Sequence, residues 1–360
     1  MKHRLEHISR IQVPTWSRPA INETNTGLDF TGLKPYRQDA LKNNKRNIRT
    51  HDTAALAVPG NLEAISGIRE FVKNHKNQSY YIHIKDKEVL AEPIILDFTL
   101  DRDNSLLIED IVIHAGEDSK ATVIVLYSSK GEENYIHCGH TRMHLDKGAR
   151  IDLIKIQLLS ANSNHLDETR VTVEEGADAN LILAELGAGN IVSECDISLQ
   201  KEKSKAKLDS LYIGNRSKVI DMNYRIEYVG SCSEGFITAK GVLLDECRKT
   251  FKNTLDFVTG SYGSKGREEE TVISLSDKAV NISAPLLLCG EDNVEGQHAS
   301  NIGRLPESKL FYLMSRGLDE REAKKLMVEA SFAPVIGKIP LEAFRNQISR
   351  YIAEVMQDGE

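Results

Sequence analysis

Two stretches of the chain concentrate side chains able to do metal or sulfur chemistry. The first runs Cys289-Gly290-Glu291-Asp292-Asn293-Val294-Glu295-Gly296-Gln297-His298. Thiolate, carboxylate and imidazole are all ligands for iron and other transition metals, and the intervening glycines let a backbone come close. The spacing is not a compact metal-binding formula. Cys289 closes the apolar run Pro285-Leu286-Leu287-Leu288, where a satisfied strand-end thiol fits equally, and a structural hydrogen bond would serve His298. The second stretch is His137-Cys138-Gly139-His140 with His144. On an extended strand Cys138, His140 and His144 share one face and His137 takes the other. Zinc uses such groups, and a metal-dependent hydrolase would have to be built there, but no complementary cysteine pair fixes the site. Ordinary packing on a strand surface accounts for the same residues.

Other catalytic arrangements match poorly. There is no P-loop with its terminal Lys and Ser/Thr, and Gly187-Ala188-Gly189 is too short to cradle a phosphate, so no ATPase activity is expected of this chain. Glu268, Glu269 and Glu270 are consecutive, which predicts a solvated polar edge or turn rather than an acid/base pair.

The elements that position these residues must come from a 360-residue chain that is 40% hydrophobic and 28% charged, the composition of a folded, soluble protein. No apolar run approaches the ~20 residues of a membrane span. Met1-Lys2-His3-Arg4 leads into polar sequence rather than a signal-peptide core. The expected address is cytoplasmic, with no membrane partner. A formal charge of −7 gives no global reason to bind nucleic acid. The five cysteines, Cys138, Cys195, Cys232, Cys247 and Cys289, form no close pair, which suits a reducing compartment where each stays a thiol.

Three regions follow from the pattern: residues 1–79, an N-terminal partly helical region; 80–300, a β-rich core; and 301–360, a C-terminal helical region. A helix is predicted from about Leu62 to Phe71, capped by Asn61, with Ile65, Ile68 and Phe71 on one face. From Tyr80 onward short alternating segments succeed one another. Ala121-Thr122-Val123, Ile151-Asp152-Leu153, Ala179-Asn180-Leu181 and Ala206-Lys207-Leu208 recur at offsets of 30, 28 and 27 residues. That interval suits a β-helix whose coils stack inward side chains while the corners absorb insertions; an antiparallel sandwich is the competing architecture. After Asn301, Pro306 suits a first helical turn and Gly317 a helix end, Asp319 stands three residues before Glu322 as in a capping box, and Pro340 starts a last amphipathic segment.

The stretch Pro285 to Gly317 carries Leu286-Leu287-Leu288-Cys289, Glu291-Asp292, Val294-Glu295-Gly296-Gln297-His298, Ile302-Gly303 and Leu310-Phe311-Tyr312-Leu313-Met314-Ser315-Arg316-Gly317, and continues through Glu322-Ala323. It closely resembles the SufB/SufD family of iron–sulfur cluster assembly scaffolds, and the resemblance extends over roughly residues 80 to 356. It implies a mainly β protein: a right-handed parallel β-helix core with helical regions at both ends. It also implies a non-enzymatic scaffold that pairs with itself or a SufB-like subunit and works with the SufC ATPase, where ATP hydrolysis would occur. Any iron–sulfur cluster would be transient, with no permanently bound cofactor.

By the same resemblance the family's functional histidine falls on His298, with Cys289, Glu295 and Gln297 as further cluster-associated candidates. The SufC-docking surface would lie on the C-terminal helices, with Leu310, Phe311, Met314, Leu326 and Met327. Gly296 stands where SufD-type chains can carry a cysteine, and no cysteine occurs between Glu268 and Leu275, where SufB-type chains can carry a sulfur acceptor. A SufD-like or divergent subunit is therefore the closer match. A purely structural adaptor that positions SufB and SufC is the alternative.

Overall fold

The computed structural model describes residues 2–15, 18–43, 47–50 and 67–358. Sixteen strands, from β4 (Gln78–Ile84) to β19 (Glu295–Gly303), alternate between two large sheets, so that each coil contributes one strand to each sheet and eight coils stack. Every neighbour pair among these strands is parallel, which excludes the sandwich. The fold is a parallel β-helix. The repeats read from the sequence are its register: Ala121 pairs with Ile151, Ile151 with Ala179, and Ala179 with Ala206.

Alternation builds the coil walls. Strand β5 (Ile94–Leu100) buries Ile94, Leu96, Phe98 and Leu100 between the sheets and half-exposes the residues between them. At one corner of successive coils a residue takes a left-handed conformation, at Asp118, Gly148, Gly176, Lys203, Cys232 and Gly263. Its amide bonds to the next coil's carbonyl, as in Gly148 N to Glu175 O at 2.9 Å. Glycine takes that conformation without strain, and Asp118, Lys203 and Cys232 adopt it through the stacking of the corners.

Two outer layers flank the β-helix. A hairpin of β1 (Lys2–Ile8) and β2 (Thr24–Asp29), with helix α1 (Gly67–His75), packs Leu5, Ile8, Ile68, Phe71 and Val72 onto the outer face of one sheet. Among its described residues the N-terminal region thus places a strand pair and a helix on this sheet. Helix α1 runs past the expected end at Phe71 to His75, where the ring nitrogen Nδ1 meets Phe71 O at 3.0 Å; Asn61, Leu62 and Ile65 lie outside the described residues. Over the other sheet, α3 (Glu320–Ile336) and α4 (Glu342–Asp358) bury Val328, Phe332, Val335, Phe344, Ile348 and Ile352 against Ile154, Ile156, Leu211 and Ile213. Removing a buried aromatic such as Phe332 costs about 3–5 kcal/mol. The capping box is formed: Glu322 N donates to Asp319 Oδ1 at 2.8 Å and Asp319 N to Glu322 Oε2 at 3.0 Å.

The interior is not uniformly apolar. In its N-terminal half Tyr127 donates to Glu109 Oε1 at 2.7 Å, His137 Nε2 meets Glu109 Oε2 at 2.7 Å, and His137 Nδ1 meets His165 Nδ1 at 2.7 Å. Lys155 donates to both oxygens of Asp167, at 2.7 and 2.6 Å. Glu185 completes the group, its Oε2 at 3.4 Å from His165 Nε2 and without a hydrogen-bond partner. Burial, reinforced by Asp167, pushes the Glu185 acid up to about 7. The folded chain holds this proton more tightly than the unfolded one, so stability falls as pH rises from the ordinary glutamate range to about 7 and stays low above it. Glu185→Gln is expected to raise stability at pH 8 by about 3 kcal/mol, and by nothing near pH 4. Urea unfolding at the two pH values checks this, and equal gains at both would overturn it.

Candidate functional site

Among the described residues the two sheets end on β18 (Val280–Cys289) and β19, which each pair on one side only. Their outer edges leave a row of backbone donors and acceptors without strand partners. The last coil is also uncovered between the sheets: Leu287, in register with buried Leu255, is 45% exposed, and Ile302 is 49% exposed. This open mouth holds His298.

Register decides which candidates reach it. His298 pairs with Glu268 of β17 (Lys265–Ser274), and its Nδ1 is hydrogen-bonded with Glu268 Oε2. Glu268 is buried, and its Oε1 has no hydrogen-bond partner. Burial pushes its acid up to about 6, against the hydrogen bond and charge of His298 that pull it down. Just behind, Lys249 is fully buried and bonded to Glu270, to Asn281 Oδ1 at 2.9 Å and to Ser283 Oγ at 3.0 Å. Tyr212 donates to Glu270 Oε1 at 2.8 Å. Desolvation lowers the Lys249 ammonium, opposed by Glu270.

The expectation of a solvated Glu268-Glu269-Glu270 edge is therefore corrected. On a strand, neighbours alternate sides, so Glu268 and Glu270 point inward and are buried, while only Glu269 lies outside, 2.9 Å from Arg267. The same rule separates Glu295 and Gln297 from His298. They sit in register with Lys265 and Arg267 on the outer face, and Glu295 pairs with Lys265 at 2.8 Å.

Cys289 does share the inward side, in register with buried Phe257. It lies away from His298, however. A Cβ on Gly296 would stand 2.8 Å from Leu287, so these two residues face each other across the mouth. From that point Cys289 lies two residues toward the turn and His298 two residues away from it, a separation along the strands of about 13 Å at roughly 3.3 Å per residue. Gly296 itself is explained by packing. Inward Gly235, Gly266 and Gly296 stack in register opposite Tyr228, Phe257 and Leu287, and a Cβ on Gly266 would meet the Tyr228 hydroxyl at 2.6 Å.

Beyond the mouth, α2 (Glu307–Ser315) buries none of its residues. Phe311 is 74% exposed, Met314 and Leu326 are exposed, and Leu310 and Met327 are half-buried. All five lie on α2 and α3.

Cys138, His140 and His144 do not meet. They share a face of β8 (Ile136–Leu145), but a strand spreads positions 138 and 144 about 20 Å apart. Cys138 is buried among Ile136, Leu166 and Ile68 of the outer layer, His140 Nδ1 is 3.6 Å from Asp110, and His144 Nε2 is 3.0 Å from Asp146. The inward group of Glu109, His137, Lys155, His165, Asp167 and Glu185 escaped the sequence reading, because its members are brought together by coil stacking and by two facing sheets.

The chain is thus a two-sheet parallel β-helix whose open terminal coil carries a histidine–carboxylate pair at its mouth. The family model for the SufBD core domain of the SUF system for FeS cluster assembly matches residues 98–331, and the chain belongs to this SufBD family. It is 30% identical over 160 residues to the iron-sulfur cluster assembly protein SufD of Bacillus subtilis, covering 44% of this chain and 37% of that one. It is 26% identical over 295 residues to an iron-sulfur cluster assembly SufBD family protein of Pyrococcus horikoshii, covering 79% of this chain and 63% of that protein. A Mycobacterium leprae protein of the SufBD family is 24% identical over 224 residues, 62% of this chain and 26% of its own. The chain thus spans less than two thirds of the length of these relatives. Among the described residues no helix is long and apolar enough to cross a membrane.

Removing the His298 imidazole takes away the hydrogen bond and the charge that pull the Glu268 acid down, and leaves burial and Glu270 to raise it against Lys249. His298→Ala is expected to move the Glu268 midpoint upward from about 6, read as the carboxyl carbon shift in an NMR titration. An unmoved midpoint would show that the two groups are not paired in solution.

Proposed function

We propose that this chain is a non-enzymatic scaffold subunit for iron–sulfur cluster assembly. It pairs through its open last coil with a second copy or a SufB-like chain and docks a SufC-like ATPase on the apolar surface of α2 and α3. The observation that carries the reading is the mouth itself: in a member of the SufBD family, two unpaired strand edges frame His298 and buried Glu268. Edge strands pair readily with another chain, and an imidazole 36% exposed at such an edge is free to meet iron as two chains come together.

The cluster is cargo in this reading, held transiently while ATP is hydrolysed in the partner. A soluble, cytoplasmic setting suits the thiols, since all five cysteines are free. The surface of Phe311, Met314 and Leu326, beside half-buried Leu310 and Met327, is the docking face; an exposed apolar cluster of this kind marks an interaction site.

A second reading, a structural adaptor that positions its partners without touching iron, draws on a specific observation. Cys289 and His298 stand too far apart along the strands to ligate one metal within a single chain, so these two groups do not make an iron site of their own.

Anaerobic reconstitution with a SufC-like ATPase, with and without a SufB-like chain, tests both. Complex stoichiometry is read by light scattering and cluster formation by visible absorption. ATP-dependent cluster formation is expected to fall about tenfold in His298→Ala with the complex intact, the usual scale for losing a metal-supporting group. Phe311→Asp is expected to abolish co-elution with the ATPase. Undiminished cluster yield after removal of both the His298 and Cys289 side chains would leave the adaptor reading.

A further inference from the structure

Far from the mouth, the outer face of the larger sheet carries a ladder of histidines. His83 of β4, His114 of β6 (Leu106–Ala115) and His144 of β8 occupy the same register position in three successive coils. Their rings follow one another, with centroids 5.2 Å apart for His83 and His114 and 5.7 Å for His114 and His144. Asp146, two residues after His144, turns one carboxylate oxygen to each of two rings: Oδ2 to His114 Nε2 at 2.8 Å and Oδ1 to His144 Nε2 at 3.0 Å.

We propose that His114, His144 and Asp146 bind a divalent late first-row transition-metal ion such as zinc or iron(II). The donor atoms of the three residues lie within 4.8 Å of one another. Two imidazoles and a carboxylate are the donor set these ions prefer, and the hard oxygen-seeking ions do not. Metal–ligand bonds of roughly 2.0–2.2 Å place adjacent octahedral ligands about 3 Å apart, which is the nitrogen–oxygen spacing already present. The three groups need to move little to admit an ion, and solvent supplies the remaining ligands.

The scaffold holds each ligand. His114 and His144 are fixed by direct strand pairing. The Asp146 amide donates to Ala115 O at 2.9 Å, and its carbonyl accepts from Ala149 N at 3.0 Å, so the corner cannot swing. His83 stacks on His114 with an interplanar angle of 20°, which sets the ring plane. The His144 ring is nearly buried and its Nδ1 has no hydrogen-bond partner, so Nε2 alone is directed to the site. The His114 and Asp146 side chains are 34% and 31% exposed, and an ion reaches them from solvent without unfolding.

This site is independent of the mouth. His144 belongs to the third coil and His298 to the eighth, and five coils at roughly 4.8 Å each place the two about 24 Å apart. The proposal therefore stands or falls separately from the scaffold reading.

The test uses the full chain, stripped of metal with a chelator and titrated anaerobically with cobalt(II) as a visible probe, then with zinc(II) as competitor. One equivalent of cobalt with the absorption bands of histidine and carboxylate ligation is expected, displaced stoichiometrically by zinc. Asp146→Asn and His114→Gln are each expected to weaken that equivalent by about tenfold or more, and His298→Ala is expected to leave it unchanged. Thermal melting supplies a second readout: zinc raises the Tm of the parent chain and not that of Asp146→Asn. No saturable equivalent, or one untouched by both ligand substitutions, overturns the proposal.

Discussion

Each inward side chain of this β-helix rests on the residue at the same register position one coil above and one coil below, at about the 4.8 Å spacing of hydrogen-bonded strands. That stacking is the constraint on which the molecule depends. A bulky residue on one sheet must be met by a small one across the interior, and the chain answers with ladders: Gly235, Gly266 and Gly296 opposite Tyr228, Phe257 and Leu287. A polar residue facing inward must find its partner in an adjacent coil or on the opposite sheet, because water does not reach it. Glu109, His137 and His165, on three successive strands of one sheet, form such a run, and Tyr127 and Lys155 reach it from the other sheet.

The same constraint makes the two ends unequal. A solenoid cannot close on itself, so its terminal coils need caps. At the N-terminal end the chain caps its own interior: Ala40 N donates to the Tyr80 hydroxyl at 3.2 Å, Asp97 N donates to Ala40 O at 2.8 Å, and Tyr36 joins the interior cluster. At the C-terminal end the chain passes from β19 into α2, which buries none of its own residues, and the last coil is left open. Apolar area and strand edges are exposed together there, and a partner with strands of its own satisfies both at once.

Much of this was legible in the sequence. The offsets of 30, 28 and 27 residues are the stacking itself written along the chain, since Ala121, Ile151, Ala179 and Ala206 prove to be successive register partners. The Asp319–Glu322 capping box and Gly317, in a left-handed conformation past the end of α2, are local signals that need no tertiary information. What could not be read was anything that depends on two strands at once. Glu268 and Glu270 look like part of a charged run until alternation turns them inward onto His298 and Lys249. Cys138, His140 and His144 look like a ligand set because they share one face of a strand, but they are spread along it, whereas His144 meets His114 and Asp146 through a neighbouring strand and a corner. Glu295 and Gln297 show the complementary effect: near His298 in sequence, they are on the other side of its strand.

The mouth joins these two lessons. Glu268 sits where burial is nearly complete while its partner His298 is still wet, so the pair is balanced between desolvation, which favours the neutral acid, and the hydrogen bond, which favours the carboxylate. Covering the last coil would remove the water that reaches His298 and shift that balance, because a hydrogen-bonded pair in a drier site feels both the desolvation cost and the mutual attraction more strongly. By linkage, a change in proton affinity on covering the coil means that the strength of association across the open edge depends on the protonation of this pair. Any covering of the last coil and the protonation of the His298–Glu268 pair are therefore linked, because the pair sits where that coil is open.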